Sequence, residues 1–430
     1  MAVRSPFGWY NSANARVKRV FWTCTAAWAL DSMDALVFSF MIPTLMVAFG
    51  MSLTEAQSIN TANFVSAAVG GWIGGLLCDR YGRARLLQLT ILWFSLFSFL
   101  SGFAQTYEQL LVLRVLQGLG FGAEWAVGAV LLGEMIAPAH RGKAVGTVQS
   151  AAPIGTGMAA LLAGPLVGML PLEYGWRVAF WVGILPALLV FFVRRADDDS
   201  EIYLETRRRL KAEKRAIYPW AIFAPQALRI TVLTSLLAIG IQGAAYSISN
   251  YLSVFLQTER GLSAKVAGLF ILINSAGGFF GAQVNAYFSD NFGRRRMFRL
   301  FGAGFVVMAS FYLLAPLGNS VWTLLPAGLV YGFFQFGLYA SFGPYFTELF
   351  PTEIRGSGQS FAYNLGRAMS GLAFTMPVAW MIDGNIVGIS TGMLIGALSG
   401  IVLAIFATLL LPETAGRDLS VPVAERGAIG

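Results

Sequence analysis

The sequence predicts an all-α membrane protein of twelve transmembrane helices, arranged as two six-helix halves written one after the other in the same direction. Three observations lead there. Of 430 residues, 56% are hydrophobic and only 12% are charged, with 34 Phe and 11 Trp, a chain whose solvent is mostly lipid. Twelve runs are long and apolar enough to cross a bilayer, which takes about 20 residues each. They lie at 21–49, 58–78, 86–104, 108–135, 144–170, 175–193, 228–256, 265–288, 297–316, 321–347, 357–382 and 390–411. Finally, two loop motifs recur at nearly one spacing. Asp79-Arg80-Tyr81-Gly82-Arg83 returns as Asp290-Asn291-Phe292-Gly293-Arg294, 211 residues later, and Glu134…Arg141-Gly142 returns as Glu348…Arg355-Gly356, 214 residues later. Such an offset marks a parallel repeat.

In chain order, residues 1–19 are polar and basic and read as a cytoplasmic N-terminal segment; no cleavable signal peptide is expected before span 1. Residues 20–193 form the first half and 227–411 the second. Between them, 194–226 is a polar cytoplasmic linker carrying Asp197-Asp198-Asp199 and Arg207-Arg208-Arg209, and 412–430 is a cytoplasmic tail. With both termini cytoplasmic, 25 of the 30 Lys and Arg residues fall on the cytoplasmic side, as the positive-inside bias requires. The net charge of +8 then reflects topology and anionic headgroups, with no call for nucleic acid as a partner. Cys24 and Cys78 sit within spans, so no disulfide is expected.

The motifs above, together with Arg114-x-x-Gln117-Gly118-x-Gly120-x-Gly122 and Pro412-Glu413-Thr414, make the chain resemble the major facilitator superfamily over nearly its whole length. Asp31-Ser32-Met33-Asp34 in span 1 is similar to the Asp-x-x-Asp of carboxylate:proton symporter branches that carry aromatic acids, sialate and lactate-like metabolites, with Ser32 where those branches usually have Gly. The resemblance implies a secondary transporter of the inner (plasma) membrane, working as a monomer, with no cofactor or metal and no enzymatic activity. It also implies that the loop charges lock the halves together on the cytoplasmic side. That gate set is Asp79, Arg83, Glu134, Arg141, Asp290, Arg294, Glu348, Arg355 and Glu413.

The remaining chemistry lies in ionisable groups inside spans, where a charge costs at least ~2.5–3.5 kcal/mol on insertion scales and therefore faces a cavity, pairs or titrates. Asp31 and Asp34, three residues apart, share a helical face. Two like charges there cannot both ionise cheaply, which suits a group that loads and releases a proton; the alternative is a static pair neutralised by Arg114. Glu124, ten residues beyond Arg114, is a second proton stop or a hydrogen-bonded structural carboxyl. The second half lacks these acids. It offers Arg367 with Asn364 on span 11, Tyr331, Gln335 and Tyr339 at i+4 steps on span 10, Gln242, Tyr246 and Asn250 on span 7, and Asn274 on span 8. A planar guanidinium among amides and phenols suits a carboxylate, although aromatic stripes in membrane helices are more often packing. His140 reads as a solvated loop residue. No Walker sequence accompanies the glycine run, which argues against ATP-driven transport.

These readings converge on a small organic anion, a mono- or aromatic carboxylate or a sialate-like acid, imported by proton symport with alternating access. Two alternatives remain open: a proton-coupled sugar or polyol importer, and a proton-antiport exporter of a cationic or amphipathic compound.

Overall fold

The helices start earlier than their apolar runs do, because capped polar turns extend them. Asn14 accepts from the Val17 N–H at 2.8 Å, and Ser52 with Glu55 forms a reciprocal capping box. The computed structural model describes residues 8–136, 140–166, 169–188, 204–205, 208–209, 220–315 and 321–415. Excepted are the side chains of Ser12, Asp79, Arg80, Arg83, Ala84, Ala123, Trp125, Ala126, Val127, Ala129, Val130, Arg141, Pro165, Leu166, Leu172, Glu173, Val321 and Thr352.

After a short turn at Gly8–Ser12, the first half comprises α1 (Ala15–Phe49), α2 (Leu53–Tyr81), α3 (Arg83–Ser101) and α4 (Tyr107–Met135). It continues with α5 (Arg141–Gln149, then Ala151–Leu161 and a π-turn Leu162–Leu166) and α6 (Leu172–Trp181, then a 3-10 turn Val182–Ile184). The second half comprises α7 (Pro225–Val254 and a π-turn Phe255–Glu259), α8 (Ala264–Phe292), α9 (Arg294–Leu314) and α10 (Val321–Ala340, then Phe342–Leu349). It closes with α11 (Arg355–Ser370, a π-turn Gly371–Thr375, then Met376–Asp383) and α12 (Ile389–Leu410). No strand occurs among the described residues. Of the linker expected over 194–226, the described part includes Arg209, which meets Glu353 at 2.8 Å on the surface.

The repeat governs packing as well as sequence. In the first half α2 packs on α4 and α1 on α5; in the second, α8 packs on α10 and α7 on α11. Across the interface, α5 meets α8 and α11 meets α2. Glycine makes the closest of these contacts possible, because a side chain would strike the neighbouring backbone. A Cβ on Gly70 would lie 2.0 Å from the Leu119 carbonyl oxygen, and one on Gly281 would lie 1.8 Å from that of Phe333. Gly118 and Gly332 are crowded alike, at 2.0 Å from Ser66 Oγ and 1.9 Å from the Asn274 oxygen. These pairs are separated by 211 and 214 residues, the same offsets as the loop motifs.

The outer faces of the bundle are apolar, and the ionisable residues of its spans lie inside. Leu89, Leu300, Trp322 and Val402 are exposed, whereas Asp31, Asp34, Arg114, Glu124 and Arg367 are all buried, the distribution expected of helices whose outer faces meet lipid. Among the described residues, seven helices are long and apolar enough on their own to cross a membrane, by length and composition.

Candidate functional site

A cavity with about 60 Å³ of free space lies between the halves. From the first half, α1 lines it with Trp28, Asp31 and Ser32, α4 with Phe121, and α5 with Thr156. From the second, α7 contributes Tyr246 and Ser249, α10 Gln335, Phe336 and Tyr339, and α11 Tyr363 and Arg367. Gln335 Nε2 donates to Ser249 Oγ at 2.6 Å, joining α10 to α7.

Arg367 is 2% exposed. Its guanidinium carbon lies 4.2 Å from the Phe121 ring centroid and 5.3 Å from that of Tyr363, and the group donates to the Tyr246 hydroxyl. Its Nε finds no acceptor among the described residues. Across the cavity, the Asp31 oxygens accept no N–H or hydroxyl from the described residues; the groups that face this carboxyl are Glu124 and Arg367. The cavity is therefore lined by the Asp31 carboxyl from the first half and a guanidinium from the second, each short of hydrogen-bond partners, while Glu124 lies beside Asp31 outside that lining. Buried charges in that condition are costly unless something else enters to satisfy them.

Asp34 faces elsewhere. Its carboxylate accepts from Ser98 Oγ and Gln117 Nε2 and has Arg114 as its neighbouring cation. Arg114 lies 4.9 Å from the Phe38 ring and 5.8 Å from that of Phe180, and its main-chain oxygen accepts from Asn63 at 2.7 Å. The pairing expected from the Asp31/Asp34 spacing is thus divided. Asp34 joins Arg114 inside the first half, while Asp31 opens onto the cavity, because residues three apart differ by about 60° around a helix.

Of the other residues singled out above, Tyr246, Gln335 and Tyr339 line the cavity. The structure places five elsewhere. Asn364 donates to the Gly122 oxygen at 2.6 Å, bridging α11 to α4. Tyr331 stacks on Tyr312 at 5.5 Å. Gln242 donates to the Tyr363 oxygen at 2.7 Å, and Asn274 to the Gly328 oxygen at 3.3 Å. Asn250 accepts from Ser39 at 3.1 Å, tying α7 to α1. Trp28, Phe121, Thr156 and Tyr363 line the site without having been named from sequence; Tyr363, one turn before Arg367, was within reach of that reasoning.

Both ends of the cavity are closed. On the face of the repeated loops, Arg294 binds Asp290 at 2.7 Å and Glu348 at 2.9 Å. Glu413 accepts from the Arg294 N–H at 2.8 Å, and Gly293 turns with φ 92° beside it. Asp290 also accepts from the Lys143 N–H at 3.0 Å, so the carboxylate ending α8 sits on the first turn of α5, in the other half, where helix N–H groups attract negative charge. Glu134 meets Arg355 at 3.4 Å across the same interface. Asp79, Arg83 and Arg141 of the expected gate have side chains outside the described residues. At the opposite face, Asp383, the last residue of α11, accepts from the Thr54 N–H at 2.9 Å and from its hydroxyl. It caps α2 just as Asp290 caps α5. His140 stands just before α5 and takes no part in the cavity. Among the described residues, no three His, Cys, Asp or Glu side chains gather as a metal's ligand set.

The profile of the Major Facilitator Superfamily matches residues 24–375. A probable 4-methylmuconolactone transporter of Cupriavidus pinatubonensis is 40% identical over 410 residues, covering 95% of this chain and 94% of its own. A cis,cis-muconate transport protein of Acinetobacter baylyi is 28% identical, with 88% and 91% covered. Among solved structures, the proton:xylose symporter XylE superposes with a TM-score of 0.75 over 94% of this chain and 98% of that one, at 18% identity, a likeness of fold.

Proposed function

The chain belongs to the major facilitator superfamily and is a membrane transporter, and we propose that it carries a small unsaturated or aromatic carboxylate together with a proton. The observation that carries this reading is Arg367 opposite Asp31, one from each half, across a cavity with no other cation lining it among the described residues.

The chemistry follows from charge balance. In the empty carrier the Asp31 carboxylate is the counter-charge of Arg367. An incoming carboxylate takes over the guanidinium, with which it can make two parallel N–H···O bonds. Asp31 then faces Glu124 without its cation and binds a proton, since two neighbouring carboxylates in a dry site do not both stay ionised. Loading one anion and one proton thus leaves the charge inside the cavity unchanged, which keeps the electrical cost of reorienting low. Trp28, Phe121, Phe336 and Tyr339 offer ring faces to a flat conjugated skeleton, in keeping with the two relatives named for muconate and a muconolactone.

Alternating access parts one capped interface while the other holds. With the repeated loops cytoplasmic, as their basic residues favour, the Asp290 cap and the Glu134–Arg355 bridge close the inside, and the Asp383 cap closes the outside. Two cavity walls from one chain make the monomer sufficient for transport.

Uptake into proteoliposomes under an imposed pH gradient tests the proposal, with 4-methylmuconolactone, cis,cis-muconate, benzoate and xylose as cargo. At least one of the acids is expected to accumulate, and to lose accumulation with a protonophore. Accumulation of xylose alone, or acid uptake indifferent to the gradient, would sink the reading.

A further inference from the structure

We infer that Phe121 is a positioning residue for the anion site: its ring, supplied by the half that lacks Arg367, holds the guanidinium and leaves N–H donors free for a carboxylate. The inference rests on the reading of Arg367 given above.

A guanidinium in a nearly dry site must be stabilised by something. Acceptor oxygens would do so by occupying the same donors that an anion needs. An aromatic ring attracts the cation through its negative face and consumes no N–H. Phe121 is placed for that role, with its centroid 4.2 Å from the guanidinium carbon and only 3% of the residue exposed. Phe94, edge-on at 6.3 Å and 88°, backs it from α3. The Arg367 Nε is left without an acceptor among the described residues. The neighbouring residue fixes the register: Gly122 accepts from Asn364 at 2.6 Å, pinning α4 to α11 beside the ring.

The contact also crosses the interface. Phe121 lies on α4 and Arg367 on α11, so the ring covers the cation only while the halves are together at this depth. Opening the cavity uncovers Arg367, and the anion that binds there is held best when the ring returns. Phe121 thereby links anion affinity to closure without touching the proton-bearing acids.

The test is a fluorination series in the full chain in lipid nanodiscs. Mono-, di- and trifluorophenylalanine at position 121 keep nearly the same shape while withdrawing charge from the ring face. Binding of 4-methylmuconolactone is expected to weaken stepwise, by about three- to tenfold over the series, with the melting temperature unchanged. Phe121→Trp should retain affinity, and the same series at Phe94 should leave it unaltered. Phe121→Leu is the simpler variant, and the fluorinated forms keep the question open to measurement if it misfolds. A flat affinity across the series, with Arg367→Ala still weakening binding, overturns the inference alone. If Arg367→Ala leaves affinity unchanged, the reading of the anion site fails and this one falls with it.

Discussion

The two halves share a scaffold and divide a chemistry. Gly70 and Gly118 in the first half correspond to Gly281 and Gly332 in the second, in position and in crowding, and two helices of the second half, α8 and α11, carry near their C-terminal ends carboxylates that cap α5 and α2 of the first. Several residues facing the cavity correspond in position but not in chemistry: Ala35, Ala152 and Thr156 stand 211 residues before Tyr246, Tyr363 and Arg367. The first half supplies Asp31, with Glu124 beside it, and the second Arg367 and three tyrosines. Helix contact is set by backbone shape, which duplication preserves. Proton and anion need opposite charges, which a strictly repeated wall would not provide.

The shared scaffold is tested most severely by filling its glycines. Gly70→Val and Gly281→Val push a side chain to within 2.0 and 1.8 Å of a main-chain oxygen, of Leu119 and Phe333 respectively, where neither side can yield. Both are expected to abolish folded protein, read as loss of the monodisperse peak in detergent. Tolerance of one but not the other would break the symmetry.

The division of chemistry predicts two unlike losses. Asp31→Asn should end accumulation against a gradient and leave substrate exchange, because exchange moves no net proton. Asp34→Asn should instead lower stability, because an amide can accept from only one of Ser98 and Gln117 and no longer balances Arg114. Normal accumulation by Asp31→Asn would return the proton to Asp34, where the sequence spacing alone had also allowed it. Arg367→Ala should weaken binding of the acid by about 1.5–3 kcal/mol, the scale of a charge-assisted hydrogen bond, with Arg367→Lys restoring part of it. An unchanged affinity measured by calorimetry would make Arg367 a structural bridge.

The smallest effects belong to the caps. Removing one charge from a helix N-terminus costs about 0.3–1 kcal/mol, a few-fold shift between conformers. Asp290→Asn should favour opening at the loop face and Asp383→Asn opening at the other, seen as opposite changes in spin-label distances across the two faces. Asp79 stands one repeat before Asp290, and Asp79→Asn is expected to act in the same sense. Identical shifts from Asp290→Asn and Asp383→Asn would deny that these caps are opposing latches.

Topology was legible because apolar length and repeated loops are one-dimensional facts. Which side of a helix faces the cavity is not. Tyr331, Gln335 and Tyr339 are spaced as one stripe, yet each i+4 step drifts about 40°, so Gln335 and Tyr339 reach the cavity while Tyr331 turns onto Tyr312. The larger offset of residues three apart, about 60°, separates Asn364 from Arg367 and Asp34 from Asp31. Asp383 escaped notice because nothing in its neighbourhood repeats a known loop; only the fold brings it to Thr54.

The irregular turns follow the repeat. The π-turns of α5 and α11, at Leu162–Leu166 and Gly371–Thr375, fall at nearly equivalent positions. The π-turn of α7, at Phe255–Glu259, has no such partner in α1, but Pro43 stands one repeat before its start. A proline and an extra residue both interrupt the i to i−4 ladder and let a helix bend. Four of the helices that line the cavity, α1, α5, α7 and α11, thus each carry a point at which a carrier that alternates its access can flex without breaking its packing elsewhere.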